Sequence, residues 1–206
     1  MSTPAPSPLR ALAPLFAVQF FAWSAMFLMW IGAYPLVTLA ILHAPPGPAA
    51  TRLGMVTLAC CFAGYATAAA LLAFAIPTVT RRVEPGVALG LGLAVGALGL
   101  AGMALAGRPI LLLPCFAALS VGWSALANLP YTIAGGLVPE GSIDHWFRIF
   151  AFSSILPQVA VTFGLVVLVG EIDASVARQV MLAAAASMFA GGLLALLLRA
   201  RLKAAA

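Results

Sequence analysis

The sequence predicts an all-α integral membrane protein whose chain crosses the bilayer six times. Hydrophobic residues make up 64% of the 206 positions, and charged residues make up only 7%. A soluble domain of this size carries roughly a quarter charged residues, so a soluble globular fold is excluded. The same composition excludes intrinsic disorder, and three cysteines are too few for a disulfide scaffold.

Six long uncharged runs provide the six spans. A hydrocarbon core of about 30 Å needs about 20 helical residues, and every run can hold one such helix. The runs lie between Arg10 and Arg52, Arg52 and Arg81, Glu84 and Arg108, Arg108 and Glu140, Arg148 and Glu171, and Arg178 and Arg199. In the same order, the predicted spans are residues 12–42, 53–76, 87–106, 110–134, 148–169 and 178–198.

Local features set the boundaries and the type of these elements. The first run has 41 residues, but the Pro-Pro-Gly-Pro cluster at residues 45–48 predicts a loop, so a single helix ends near Leu42. In the third run, Gly92 and Gly96 have the small-xxx-small spacing that lets helices approach closely. Continuous apolar stretches lack the alternation typical of membrane β-barrels, so the spans are helices. The predicted domains are a disordered leader over residues 1–11, a transmembrane domain over 12–203 and a tail over 204–206.

The positive charges predict the orientation of the chain. Cytoplasmic loops carry an excess of Lys and Arg, so the richer side is assigned to the cytoplasm. With six spans, the side of the two termini holds Arg10, Arg81, Arg82, Arg148, Arg199, Arg201 and Lys203, whereas the other side holds Arg52, Arg108 and Arg178. We therefore expect a multi-pass protein of the cell inner membrane with both termini in the cytoplasm. The net charge of +5 then reflects topology and contact with anionic lipid, and no nucleic-acid partner is expected.

Several motifs resemble one family of transporters. Residues 16–38 read FAVQFFAWSAMFLMWIGAYPLVT, and residues 128–131, 137–140 and 156–158 read NLPY, LVPE and LPQ. These motifs resemble the patterns "VQFF-W---LF-MWI", "N-PYA---DLVPE" and "GIFN---LPQ" of sugar–cation symporters of the sucrose and maltose type, in the major facilitator superfamily. The resemblance covers nearly the whole chain and implies the C-terminal six-helix half of such a transporter, built as a 3+3 inverted repeat.

The sequence also departs from the family pattern. Gly136 stands where the family has an acidic residue, residues 142–144 replace its basic stretch, and Ala151 replaces its Asn. The six helices that hold the proton-coupling groups of plant-type members have no counterpart here. Since no predicted span has a charged residue in its middle, we expect that the chain alone does not couple transport to protons.

The first span carries candidate solute-binding residues. Gln19 and Trp23 are four residues apart and Trp30 is seven further on, so the three lie near one helix face. A glutamine both donates and accepts hydrogen bonds, and an indole ring can stack on the apolar face of a sugar. Anchoring at the membrane interface is the alternative for the tryptophans.

The fourth and fifth spans carry the other candidates. Ser120, Ser124, Asn128 and Tyr131 form a polar stripe on an apolar helix, which predicts either a cavity wall or hydrogen bonds between helices. We predict substrate-binding roles for Ser124, Asn128, Tyr131 and Gln158, in addition to those on the first span. Proline removes a backbone hydrogen bond and bends a helix, so gating kinks are predicted at Pro35, Pro130 and Pro157. Arg81 and Arg82 are predicted as a cytoplasmic loop pair. The resemblance implies that the pair clamps helix ends, and a positively charged anchor of the loop is the alternative.

The resulting hypothesis is a half-size transporter for a small, polar, sugar-like solute. It would work in the lipid bilayer as a homodimer or with a separately encoded N-terminal half. The alternative is a non-transporting subunit that scaffolds or stabilises a larger membrane complex, and an inactive truncated product is a third possibility. Enzyme motifs such as HExxH, GxSxG and the Walker A loop are missing from the sequence, so no enzymatic activity, metal or cofactor is expected.

Overall fold

The computed structural model describes residues 8–44, 47–169 and 171–201. Within these ranges the chain forms six helical segments that are long and apolar enough to cross a membrane, which confirms the predicted number. They extend over Pro8–Ile41, Pro48–Thr80, Pro85–Leu105, Pro109–Leu137, Ile143–Val167 and Ala174–Leu197. Residues 8–11 of the predicted leader are helical, whereas residues 1–7 and the predicted tail lie outside the described residues.

Seven α-helices build these six segments. They are α1 (Pro8–Pro35), α2 (Pro48–Thr80), α3 (Pro85–Leu105), α4 (Leu112–Leu137), α5 (Ile143–Ala151), α6 (Ile155–Leu168) and α7 (Ala174–Leu197). Proline begins α2 and α3, because its fixed φ and missing N–H suit the first turn of a helix. For this reason the predicted loop at residues 45–48 is shorter than expected, and its Pro48 already belongs to α2.

Helix α3 lies at the centre of the packing. It packs against α4 and α7, and α7 packs in turn against α1. A Cβ atom added to Gly96 would lie 2.9 Å from the Cα atom of Gly122 on α4, and one added to Gly90 would lie 2.9 Å from the carbonyl oxygen of Gly192 on α7. The predicted small pair Gly92 and Gly96 is therefore at a close helix–helix contact. The two outer elements, α2 and α6, pack mainly on α4 and α1, respectively.

The three predicted kink positions differ in local structure. Pro35 ends α1 and is followed by a π-helical segment, Leu36–Ile41. Pro157 follows a 3₁₀ turn, Phe152–Ser154, which separates α5 from α6. The 3₁₀ turn includes Ser153, whose carbonyl oxygen would accept the helical hydrogen bond that Pro157 cannot donate. By contrast, α4 continues through Pro130 without a break.

Arg178 ties three helical segments together at one end of the bundle. It lies in the second turn of α7, and its Nη2 donates to the carbonyl oxygen of Ala40, 2.9 Å away in the π-helical segment. Its Nη1 donates to the carbonyl oxygens of Ala104 and Ala106, the latter at 3.3 Å, at the end of α3. The last carbonyl groups of a helix have no partner within the helix, so this guanidinium satisfies them. It also places a positive charge at the negative ends of two helix dipoles.

Asp173 caps the start of α7. Its Oδ1 accepts hydrogen bonds of 2.8 Å from the backbone N–H of Val176 and from the hydroxyl of Ser175. These two bonds, that of Val176 first, hold the pKa of the Asp173 carboxyl below its ordinary value of 3.8. Since the carboxylate binds a proton less readily in the folded chain, it stabilises the fold above its unfolded pKa and loses this effect as the pH falls.

We expect the stability difference between the wild type and Asp173→Asn to shrink on acidification. Asparagine keeps a capping oxygen but cannot titrate, so the difference should be complete above about pH 5 and decrease as the pH falls through the lowered pKa. Unfolding of the detergent-solubilised protein from pH 6 to pH 2, followed by circular dichroism, measures it. A difference that stays constant over this range would contradict the assignment.

Candidate functional site

A cavity of about 370 Å³ opens between α1, α2 and α4. Three of the predicted substrate-binding residues line it: Trp30 from α1, and Ser124 and Asn128 from α4. The lining also includes Trp123 and, from α2, Phe62, Tyr65 and four alanines at positions 66, 69, 70 and 73. The cavity thus brings together residues that are almost 100 positions apart in the chain.

An aromatic cluster forms one wall of the cavity through Trp30, Tyr65 and Trp123, and it also contains Trp23, which does not line the cavity. The ring centroid of Trp123 lies 5.6 Å from that of Trp23, 6.0 Å from that of Trp30 and 6.4 Å from that of Tyr65. The contacts of Trp123 with Trp23 and Trp30 are edge-to-face, the arrangement that the charge distribution of aromatic rings favours. The ring centroids of Trp23 and Trp30 are 6.4 Å apart, so these two side chains lie on one face of the first span, as predicted.

The sequence of α2 explains both the packing and the open space. Its buried residues recur every three or four positions and so lie on one face: Gly54, Leu58, Cys61, Tyr65 and Ala69. Tyr65 and Ala69 on that face contact α4, whereas Gly54 lies against Thr38 of the first span. Phe62 adds an edge-to-face contact with Phe116 of α4, at 5.1 Å between ring centroids. Because alanine continues the helix with the smallest side chain that still has a Cβ atom, the alanines leave room beside the aromatic wall.

The polar groups of the cavity are few, and two of them already have partners. The Ser124 hydroxyl donates to the carbonyl oxygen of Ala69 on α2 at 2.8 Å. The Asn128 side-chain amide donates to the carbonyl oxygen of Ser124 at 2.8 Å. The hydroxyl of Tyr65 is buried and has no hydrogen-bond partner in the described part of the chain. For Ser124, the interhelical hydrogen bond that was the alternative to a cavity role is therefore present.

The other predicted site residues lie elsewhere. Gln19 is 1% exposed, and its Oε1 has no hydrogen-bond partner among the described residues. Tyr131 packs on Phe147 and Phe150 beside a second cavity of about 530 Å³, which Asp144 and Arg148 also line. Gln158 is exposed on α6, and Arg81 and Arg82 are exposed after α2. Their predicted roles in binding and at the loop stay predictions.

Sequence reasoning missed two central residues, Tyr65 and Trp123. Trp123 directly precedes a predicted site residue, but its side chain extends toward α1, and its neighbours there come from a distant part of the sequence. For Tyr65 a signal existed. Phe62, Tyr65, Ala69 and Ala73 recur at helical spacing and mark a face with large rings beside small residues.

No group of three or more His, Cys, Asp or Glu in the described ranges could hold a metal ion, and Cys60, Cys61 and Cys115 are free thiols. No family model, curated protein or solved structure matches the chain. The inference about function therefore rests on the residues and on their arrangement.

Proposed function

We propose that the chain is a half-size transporter of the major facilitator type for a small polar solute related to sugars. The observation that carries this proposal is the cavity between α1, α2 and α4, which joins Trp30, Ser124 and Asn128 from two distant helices. Aromatic walls with a few placed polar groups are typical of small-molecule sites. Flat rings contact the apolar face of a solute, and the amide of Asn128 supplies a donor and an acceptor.

The helix packing supports an inverted repeat of three plus three spans. Helix α4 contacts α2 and α3, while α1 contacts the corresponding elements of the other half, α6 and α7, and α3 packs against α7. Pro35 and Pro130 occupy equivalent positions at an offset of 95 residues. At the same offset, Gly96 faces α4 and Gly191 faces α1. Repeats of this kind place solute sites at the interface between units that rock against each other.

A second six-helix unit, either a copy of this chain or a different one, would complete the transporter. The second and fifth spans support this, since only 17% of the most apolar window of each is buried. The side chains on these spans are not all suited to lipid, because Gln158 is exposed among them. Polar groups within a membrane prefer protein or a water-filled cavity to lipid. We place the pair in the inner membrane, with the termini of this chain in the cytoplasm.

The second candidate function is a non-transporting subunit of a larger membrane complex. The bond from Ser124 to Ala69 favours it, because that serine serves helix packing. Tyr131 and Gln158 do not line the cavity between α1, α2 and α4, which favours the subunit function as well. A subunit of this kind would need the fold but not an accessible cavity.

Uptake into proteoliposomes tests the transport proposal. We expect saturable flux of a radiolabelled glycoside, and we expect Trp30→Ala and Asn128→Ala to lower it by about tenfold, because each removes a contact to the solute. Leu98→Ala is the control, since Leu98 is 72% exposed on α3 and away from the cavity. The absence of saturable flux for any sugar, with the chain alone and with a co-purified six-helix unit, would refute transport and leave the subunit function.

Pairing is tested separately by particle mass in nanodiscs. We expect particles that contain two six-helix units, because the second and fifth spans bury little of their surface within one chain. Particles that contain only one chain at every protein concentration would contradict the paired arrangement.

A further inference from the structure

An apolar groove of about 250 Å³ lies between α2, α3 and α4. A short turn at residues 81–84 joins α2 to α3, yet these two helices make little contact with each other, because each of them packs on α4 instead. The groove is the gap that remains between α2 and α3, and α4 supplies its third wall.

One end of the groove lies at the α2–α3 turn. The lining residues recur every three or four positions, from Leu72 to Val79 on α2 and from Ala88 to Val95 on α3, so one face of each helix forms a wall. Val83, in the turn itself, also lines the groove. Seven residues of α-helix rise about 10 Å, so the groove extends over about two-thirds of the hydrocarbon thickness of one leaflet.

The walls of the groove suit a hydrocarbon chain. Among the described lining residues, Ser124 alone has a polar side chain, and its hydroxyl already donates to the carbonyl oxygen of Ala69. Leu91 is 53% exposed and Val79 is 41% exposed, so the groove is open to the surroundings of the bundle. An unfilled groove forfeits dispersion contacts along its walls, and an acyl chain that lies in it restores them.

Two arginines lie at the end of the groove that the turn marks. Arg81 and Arg82 are both exposed, and the Nε of Arg81 donates to the carbonyl oxygen of Pro77 at 3.2 Å, which holds its guanidinium beside the end of α2. Glu84 is the single acidic residue of the turn, so the turn keeps a net positive charge.

The end of α7 adds a third arginine to this end of the bundle. A Cβ atom added to Gly90, in the second turn of α3, would lie 2.6 Å from the side chain of Leu196, so the start of α3 lies beside the end of α7. Arg199 is three residues beyond Leu196 and is exposed. Positive charges clustered next to apolar spans attract the head groups of anionic lipids.

We propose that the groove binds one acyl chain of an anionic phospholipid, whose phosphate group lies at Arg81 and Arg82. The aliphatic walls take the chain, and a guanidinium pairs with phosphate oxygens through two parallel hydrogen bonds. Because the groove begins at the turn that carries these arginines, a single lipid molecule reaches both. This inference concerns the contact of the fold with lipid and holds whether or not the chain transports a solute.

Native mass spectrometry of the purified full chain in detergent, titrated with lipid, measures this binding. The probes are phosphatidylglycerol, phosphatidylcholine with the same acyl chains, and glycerol 3-phosphate, which has no acyl chain. We expect phosphatidylglycerol to bind most tightly and glycerol 3-phosphate not to saturate the chain. The double variant Arg81→Ala/Arg82→Ala should weaken phosphatidylglycerol binding about tenfold and phosphatidylcholine binding less. Arg52→Ala is the matched control, since Arg52 is an exposed arginine near the other end of α2.

A second variant tests the groove itself. Ala75 lines the groove and is exposed, so Ala75→Phe fills space without entering the core, and it should weaken the binding of both lipids. Ala63→Phe is its control, because Ala63 is also exposed on α2 but does not line the groove. Phosphatidylglycerol binding that Ala75→Phe leaves unchanged would overturn the proposal, as would equal losses in the double variant and in Arg52→Ala. Exclusion of the lipid from particles with two six-helix units would also overturn it, since a protein surface would then fill the groove.

Discussion

Replacing Arg178 by alanine is expected to destabilise the fold by about 2–5 kcal/mol. The guanidinium donates to the carbonyl oxygens of Ala40, Ala104 and Ala106. Its removal leaves these acceptors without a partner at the ends of two helical segments. Among the described residues, these are the only side-chain hydrogen bonds between α7 and the ends of the first and third spans. Without them, the ends of these two spans should fray.

Unfolding in mixed micelles of sodium dodecyl sulfate and a mild detergent, followed by tryptophan fluorescence, measures this effect. Arg108→Ala is the control, because Arg108 lies at the same end of the bundle and is exposed. Arg178→Lys should recover only part of the loss, since an ammonium group is a compact charge and cannot span acceptors on two segments in the way a planar guanidinium does. Equal stabilities of Arg178→Ala and Arg108→Ala would refute the role of Arg178.

Replacing Gly99 by alanine is expected to cost about 1–3 kcal/mol, although alanine is the better helix former. A Cβ atom at Gly99 would lie 2.5 Å from the carbonyl oxygen of Cys115 and 2.8 Å from the backbone nitrogen of Leu119. Both atoms belong to the backbone of α4, which cannot move aside as a flexible side chain can. Helices α3 and α4 would have to separate, with loss of contact along their whole interface.

The matched control for this change is Gly64→Ala on α2. A Cβ atom there would meet no atom within 4 Å, so only the gain in helix propensity remains, and stability should rise by up to about 1 kcal/mol. The same unfolding measurement compares the two variants. Equal stabilities of Gly99→Ala and Gly64→Ala would contradict the close backbone contact between α3 and α4 at Gly99.

Three residues of the cavity lining, Trp30, Ser124 and Asn128, could be singled out from the sequence because helical spacing is a local property. Trp23 and Trp30 were expected on one face and lie 6.4 Å apart, and Ser124 and Asn128 were expected together and line one cavity. The same reasoning could not separate Tyr131 and Gln158 from that cavity. Which side of a helix faces a neighbour depends on the tertiary packing, and polar spacing alone does not determine it.

The sequence by itself determined that this chain forms six apolar helical segments, and where each one lies to within several residues. The reason is that bilayer thickness sets the length of an uncharged run and that each run is continuous in the chain. The tertiary structure alone decided that Tyr65 and Trp123 share a cavity, because these residues come from different helices. It also decided the role of Arg178. From the sequence alone, Arg178 is one positively charged residue in a loop. In the fold, its guanidinium donates hydrogen bonds to carbonyl groups 72 to 138 positions away in the chain.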